Sequence, residues 1–493
     1  MSSLIGIAPL LLLVAAGLSV MLVDALTRDR AELALVATAS LFASAVLAAV
    51  LLSGGEVAAA PELVTRYIAT DRLGLFFDVV ICVGAGLSTL LAGGYLREHG
   101  FERGEFYVLV IFTAFGAMIL ARSVDLLSLF LGLETMSLGA YALVAYRRTS
   151  ARAVERAVKY FLLGSFAAAI LLFGSALLYG ATGHTDFAGI QQSLAAGQAE
   201  PSLTIFALVM IVVGLTFKVG AVPFHMWVPD AYEGAATPVT TFMSVAVKSA
   251  AVAVLARVLV GAFGDPASMG LYTGWTPIIA LLAAASMVYG NLAALAQSSV
   301  KRMLAYSSIA HAGYILVGFA AVHEVGSVAV SAVLYYMAAY TVSNVLAFGS
   351  LILMGSKGKE AVSYEDLAGA GRRHPAAAFP FVIGVLSLLG MPPTAGFFGK
   401  YYVFSAAVSA GGPMIWLAVL GVLASAVGAF YYLKVIVYLF MREPEEDAPI
   451  AVPMQSGYVI VALVLAGYYV IKMGITPTRY LDWAVSAAQS LVG

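Results

Sequence analysis

Four ionisable residues stand in otherwise apolar stretches: Glu134 in LFLGLETMSLGAYALVAY, Lys218 in GLTFKVGAVPF, Lys248 in FMSVAVKSAAVAVL and Lys400 in PPTAGFFGKYYVF. A charge at the centre of a bilayer costs about 2.5–3.5 kcal/mol even on the lenient insertion scale, so four cost roughly 10–14 without protein partners or water. One acid cannot neutralise three lysines, so structural ion pairing does not account for the set. Proton transfer does. Desolvation shifts a buried ammonium by up to ~3–5 pKa units toward release of its proton, and a carboxylate 4 Å away restores about 4 kcal/mol of attraction at an effective dielectric near 20. Moving Glu134 toward or away from Lys218 would switch the lysine between holding and releasing a proton.

Neighbouring residues extend these points into stripes. Thr237, Thr241 and Ser244 lead to Lys248 in steps of 4, 3 and 4, which is one helix face. Ser307, His311, Tyr314 and Gly318 repeat the same steps and add a titratable imidazole. His225, beside Trp227, Pro229, Asp230 and Glu233, is expected at an interface or in a loop.

The elements that hold these residues are helices in lipid. Of 493 residues 62% are hydrophobic and 11% charged, against about 25% charged in soluble domains. Fourteen spans of about 20 residues would use nearly all the apolar positions and leave no soluble domain. Cys82 is the only cysteine, so disulfides, thiolate zinc and iron–sulfur clusters are excluded. No glycine-rich nucleotide loop opens a helix after a strand, and a net charge of −1 argues against nucleic acid. The apolar start from Leu4 has no basic residue before Arg28, so it reads as a first span rather than a cleavable signal.

Apolar runs predict spans near 4–24, 32–52, 73–94, 105–121, 124–146, 158–180, 204–225, 237–263, 274–295, 300–320, 326–354, 378–408, 413–440 and 454–473. The runs at 326–354 and 378–408 exceed one crossing and require tilt, a kink or a break. Odd-to-even connections carry Arg28, Arg30, Arg97, Arg103, Arg147, Arg148, Arg152, Arg156, Lys301, Arg302, Lys357, Lys359, Arg372, Arg373 and Arg442; the opposite side carries Arg66, Arg72, Arg122 and Arg479. The positive-inside rule then turns both termini away from the cytoplasm. Seven basic residues remain at membrane depth or its margins: Lys159, Lys218, Lys248, Arg257, Lys400, Lys434 and Lys472. Lys159, Arg257 and Lys472 lie near span ends and are expected to snorkel to the interface.

Pro223 and Pro229 interrupt span seven, and Pro392 and Pro393 interrupt span twelve. Interrupted helices at matching places in two halves mark ion pathways in transporters. Lys218 to Lys400 is 182 residues and Lys248 to Lys434 is 186. The expected fold is an all-α polytopic membrane protein of about 14 transmembrane helices with two inverted five-helix repeats, spans 4–8 and 9–13. Its parts are 1–104 (helices 1–3), 105–263 (first repeat), 274–441 (second repeat) and 454–493 (helix 14 and tail).

The stretches KVGAVPFHMWVPDAYEGAATPVTTFMSVAVKSAA (218–251), SSVKRMLAYSSIAHAGY (298–314), LSLLGMPPTAGFFGKYYVF (386–404) and FLGLETMSLGAYALVAY (130–146) resemble the antiporter-like subunits of proton-pumping NADH:quinone oxidoreductase, respiratory complex I. Within that family the N type is most similar, since M types usually carry glutamate at the position of Lys400 and L types continue into a long lateral helix. The resemblance implies that Glu134 modulates Lys218 on broken helix seven, that Lys248 connects, and that Lys400 on broken helix twelve faces the exit half-channel. His311 and Lys301 fall in its relay region; Lys434 is matched only by the repeat spacing, and His225 is a further possible relay residue. Ala236 and Val247 stand where many relatives have proline.

The resemblance also implies a bacterial inner-membrane subunit that binds no cofactor or metal itself, with NADH, FMN, iron–sulfur clusters and quinone in other subunits. Expected partners are K-type and M-type neighbours, an L type further along, and the lipid bilayer. Two alternatives are a subunit of a multi-subunit sodium/proton antiporter, against which Lys400 argues, and an inactive structural membrane spacer.

Overall fold

The structure is a computed structural model that describes residues 2–26, 33–54, 60–264, 274–355, 360–444 and 452–492. Arg28, Arg30, Lys357 and Lys359, used above for orientation, lie outside the described residues.

Thirteen described helices are long and apolar enough to cross a membrane. They are α1 (Leu4–Leu26), α2 (Leu33–Ser53), α3 (Arg72–Glu98), α4 (Gly104–Arg122), α5 (Leu126–Val144), α6 (Ala151–Thr182) and α7 (Pro201–Val219). After the short α8 (Val228–Gly234) come α9 (Thr237–Ala262), α10 (Thr276–Leu295), α11 (Val300–Ala320) and α12 (Ser327–Leu353). The fourteenth crossing is the divided one, α13 (Pro375–Leu389) followed by α14 (Ala395–Ala410). Then come α15 (Gly412–Phe440), α16 (Gly457–Ile475) and the amphipathic α17 (Thr478–Val492), which takes up most of the expected tail. The run at 326–354 is thus one unbroken helix, while that at 378–408 divides.

Contacts between connections fix the alternation. On one face, Arg302 reaches Asp230 (2.8 Å) and Glu233 (3.0 Å), Arg156 reaches Glu233 (2.9 Å), and Lys301 meets Glu360 (3.3 Å). On the other, Arg257 pairs with Asp71, Arg122 donates to Gly6 O and Ala69 O, and Arg72 donates to Ser486 on α17. The first and last described helices therefore meet the same face, as an even number of crossings requires.

Two basic residues differ from expectation. Arg257 does not snorkel: it is buried, with a two-pronged bond to Asp71 (2.7 and 2.9 Å) and one to Ala121 O. Arg122, counted above among loop residues, is fully buried against Asp78. In each case a nearby carboxylate and free carbonyls satisfy the guanidinium better than a distant interface. Lys159 is exposed and pairs with Glu155, as a span-end lysine should.

The interior belongs to α3, α9, α11 and α12, whose central windows are 89–94% buried, against 33–44% for α1, α2, α6, α10, α15 and α16. Small residues permit this closeness: a Cβ on Gly290 would meet Ala310 N at 2.5 Å, and one on Gly116 would meet Met136 N at 2.5 Å. Lys248 and His311 ride on interior helices.

Helix starts recur at a narrow offset. Gly104 and Thr276, Leu126 and Val300, Ala151 and Ser327, Pro201 and Pro375, and Thr237 and Gly412 are 172 to 176 residues apart. The charges do not share that register, since Lys218 precedes its break and Lys400 follows its own.

Candidate functional site

Both breaks are built by a glycine followed three residues later by a proline. Gly220 (φ 79°) and Gly390 (φ 90°) adopt the left-handed conformation that ends a helix, and cis peptide bonds precede Pro223 and Pro393. The backbone groups freed at membrane depth are satisfied locally. Phe217 O accepts from the Trp227 indole (2.8 Å), and Val222 N donates to Ser286 (2.9 Å). At the second break Leu389 O accepts from Lys400 Nζ (2.8 Å). Gly396 is required there, because a Cβ would meet Ser387 O at 1.8 Å.

Each break thereby acquires an ammonium at the carbonyl end of its first half-helix, where the dipole favours a cation. Lys218 lies in the last turn of α7; Lys400 reaches the last carbonyl of α13 from α14 and also donates to Ser425 (2.7 Å). Lys218 is buried and donates to the Tyr141 hydroxyl (3.1 Å), within 5.0–5.7 Å of the Tyr141, Tyr160 and Phe217 rings. Glu134 forms no ion pair with it within 4.0 Å, yet lies in electrostatic reach, and its buried Oε1 has no hydrogen-bond partner. The contact between Glu134 and Lys218 imagined from sequence is thus open in this structure, and Tyr141, seven residues after Glu134 on α5, takes the lysine instead.

Lys248 follows a π-helical turn, Met243–Val247, a local widening frequent at functional sites. It donates to Ser308 O (2.8 Å) and Ser308 Oγ, with Nζ 5.4 Å from the Tyr340 ring. Its stripe is fully buried, but Thr241 and Ser244 donate back to carbonyls of their own helix. His311 is suspended between two phenols, Nδ1 to Tyr336 at 2.6 Å and Nε2 to Tyr432 at 3.0 Å, and Tyr432 also bonds Ser307. Tyr314 stacks under Lys400, 4.9 Å from Nζ, and accepts from Asn291, which in turn accepts from Tyr431. A cavity of about 10 Å³ joins His311 to Ser387 and Gly396 at the second break, room for about one water.

Lys248, His311 and Lys400 therefore form one buried polar axis, with Lys218 beside Tyr141 at its far end. Between Lys218 and Lys248 stand packed aromatics: Tyr141 edge-on to Tyr160 (4.6 Å), Tyr160 stacked on Trp227 (4.4 Å), then Tyr232 beside Ser308. Three other candidates stay off the axis. Lys301 sits at the start of α11, donating to Ala235 O (2.6 Å) and pairing with Glu360. Burial alone would raise the Glu360 carboxyl, but Lys301, Tyr95 and the Thr237 N–H outweigh it and hold the carboxyl below the usual carboxylate range. Lys434 lies over the Tyr364 ring at 4.2 Å. His225 occupies the non-helical link between α7 and α8, half-buried against Tyr289, with Nδ1 unpartnered.

Sequence reasoning missed the phenols. Tyr141, Tyr336, Tyr340 and Tyr432 are neutral and common in membrane helices, although the i, i+7 placement of Glu134 and Tyr141 was a usable signal. Among the described residues no group of three or more His, Cys, Asp or Glu is placed to hold a metal ion.

Residues 123–428 match the family described as NADH:quinone oxidoreductase/Mrp antiporter, TM, and so span Glu134, Lys218, Lys248, His311 and Lys400. The chain belongs to that family. It is 54% identical to NADH-quinone oxidoreductase subunit N 1 of Sorangium cellulosum, over 98% of each chain. It is 42% identical to NADH-quinone oxidoreductase subunit N of Myxococcus xanthus, over 88% of this chain and 87% of that one. A chain of respiratory complex I from Thermus thermophilus superimposes with a TM-score of 0.79 at 33% identity, over 96% of this chain and 98% of that one. A chain of the Mrp complex from Dietzia sp. shares the fold, with a TM-score of 0.86 at 21% identity over 100% and 97%.

Proposed function

We propose that this chain is an N-type, proton-translocating subunit of the membrane arm of an NADH:quinone oxidoreductase, moving protons along Lys218, Lys248, His311 and Lys400 with Glu134 as the modulating acid. One observation carries the reading. A run of buried ammonium and imidazole groups is held by phenols, hydroxyls and carbonyls instead of ion-paired carboxylates. Neutral partners of this kind solvate a proton without trapping it, whereas a contact carboxylate fixes it. Lys301 and Lys434 act at the edge of the path, and His225 at the first break.

Two inverted five-helix repeats, 105–263 and 274–441, flanked by 1–104 and 454–493, are supported by the recurring helix starts and the matched glycine–proline breaks. Both termini face away from the cytoplasm of a bacterial inner membrane, by the positive-inside count. Redox chemistry resides in other subunits, which carry NADH, FMN, clusters and quinone; this chain transmits their energy and binds no cofactor. Its neighbours are K-type and M-type subunits, with an L type beyond.

Purification of the intact assembly tests this reading. Co-isolation with cluster-binding subunits and NADH-driven proton uptake into proteoliposomes without sodium is expected. Isolation with only antiporter subunits, or uptake that requires sodium, contradicts it.

A further inference from the structure

We infer that the cleft bounded by α2, α3, α12, α16 and α17 is a binding site for one anionic glycerophospholipid. The cleft has a volume of about 560 Å³, within the ~300–1,000 Å³ usual for ligand sites. Its walls are hydrocarbon: Phe42 and Val46 from α2, Phe76 and Val83 from α3, Val342 from α12 and Leu465 from α16. Its rim is not. Lys472 and Arg479 line it together with Tyr468, Tyr480 and Trp483.

Neither cation has a carboxylate within 4.0 Å among the described residues, although Asp482 follows Arg479 by three residues. The overhang exists because α17 is pinned to the start of α3. Arg72 donates to Ser486 (2.6 Å) and Leu73 N donates to Ser490 (3.1 Å), while Ala484, Ala487 and Ala488 are buried. This docking of an amphipathic helix suits an interfacial position, with Arg479, Tyr480 and Trp483 in its first turns.

Each part of the cleft narrows the occupant. Two unpaired cations beside an aromatic belt match a phosphate at headgroup depth. The apolar walls below match acyl chains, which a soluble anion lacks. A zwitterionic lipid would return a positive charge to a rim that already holds two.

The test uses the purified, detergent-solubilised complex and a diazirine-bearing phosphatidylglycerol. Light-driven labelling should map to peptides of α2, α12 and α16, and unlabelled phosphatidylglycerol should compete far better than phosphatidylcholine. In Lys472→Gln/Arg479→Gln the half-saturating concentration should rise roughly 25-fold, about fivefold for each cation at ~1 kcal/mol per charge. Equal competition by the two lipids, or labelling of the wild type elsewhere on the chain, overturns the assignment. Because both of those readouts use the wild type, failure of the double variant to assemble leaves them decisive.

Discussion

Tyr141 holds Lys218. The hydroxyl lies 3.1 Å from Nζ, while Glu134, two turns earlier on the same helix, stays outside ion-pair distance with a buried oxygen unpartnered. A hydrogen bond to a charged group contributes about 1.5–3 kcal/mol. Tyr141→Phe should therefore slow proton translocation by roughly tenfold or more while the complex still assembles, as read by NADH-driven acidification in proteoliposomes. Gly164→Ala is the independent check, because a Cβ there would meet the Tyr141 hydroxyl at 2.0 Å and displace it. A Gly164→Ala variant that pumps normally would show that the phenol's position is immaterial.

Glu134→Gln keeps the side chain's shape and removes its charge. Since the carboxylate acts on Lys218 only through the field, turnover should fall, assembly should persist, and the pH–rate profile should move. A profile that coincides with the wild type excludes Glu134 as the modulating acid.

His311 is the one group on the axis with a partner at each ring nitrogen, so it is placed to accept a proton at one face and release it at the other. Positioned acid–base groups contribute about 10²–10⁴-fold, and His311→Gln should lower pumping by roughly 10²-fold. Tyr336→Phe, which removes only the Nδ1 partner, should give a smaller defect. Equal and negligible effects would take the imidazole out of the path.

The Lys301–Glu360 pair makes a different prediction, about stability. Removing one partner of a buried pair costs about 3–5 kcal/mol, and Glu360 keeps 19% of its side-chain surface exposed, so Glu360→Gln should cost about 3. The Glu360 carboxyl is held below its ordinary value, so its contribution is full above about pH 4.3, the unfolded value, and fades as pH falls through the lower folded value. Thermal inactivation should therefore separate variant from wild type at pH 7 and converge in strong acid. A gap that persists there would assign the effect to packing.

Much of this was legible in the residues. Glu134, Lys218, Lys248 and Lys400 stood out because charge is rare in an apolar chain, and prolines marked both breaks. What escaped was pairing across distance. Arg122 and Arg257 look like span-end residues until Asp78 and Asp71 arrive from α3 and its preceding turn. The phenols that hold His311 come from two other helices, α12 and α15, and no local pattern brings Tyr336 and Tyr432 to one imidazole. The charge spacings of 182 and 186 residues pair the same helices as the helix starts do but miss the register of 172 to 176, because Lys218 and Lys400 lie on opposite sides of their breaks.

The most direct test of the relay is the proton-to-electron ratio of the intact complex carrying Lys218→Ala, measured in proteoliposomes with quinone reduction followed in parallel. A fully assembled complex with a reduced ratio or a severely slowed rate is the predicted result. Wild-type ratio and wild-type rate together would contradict it.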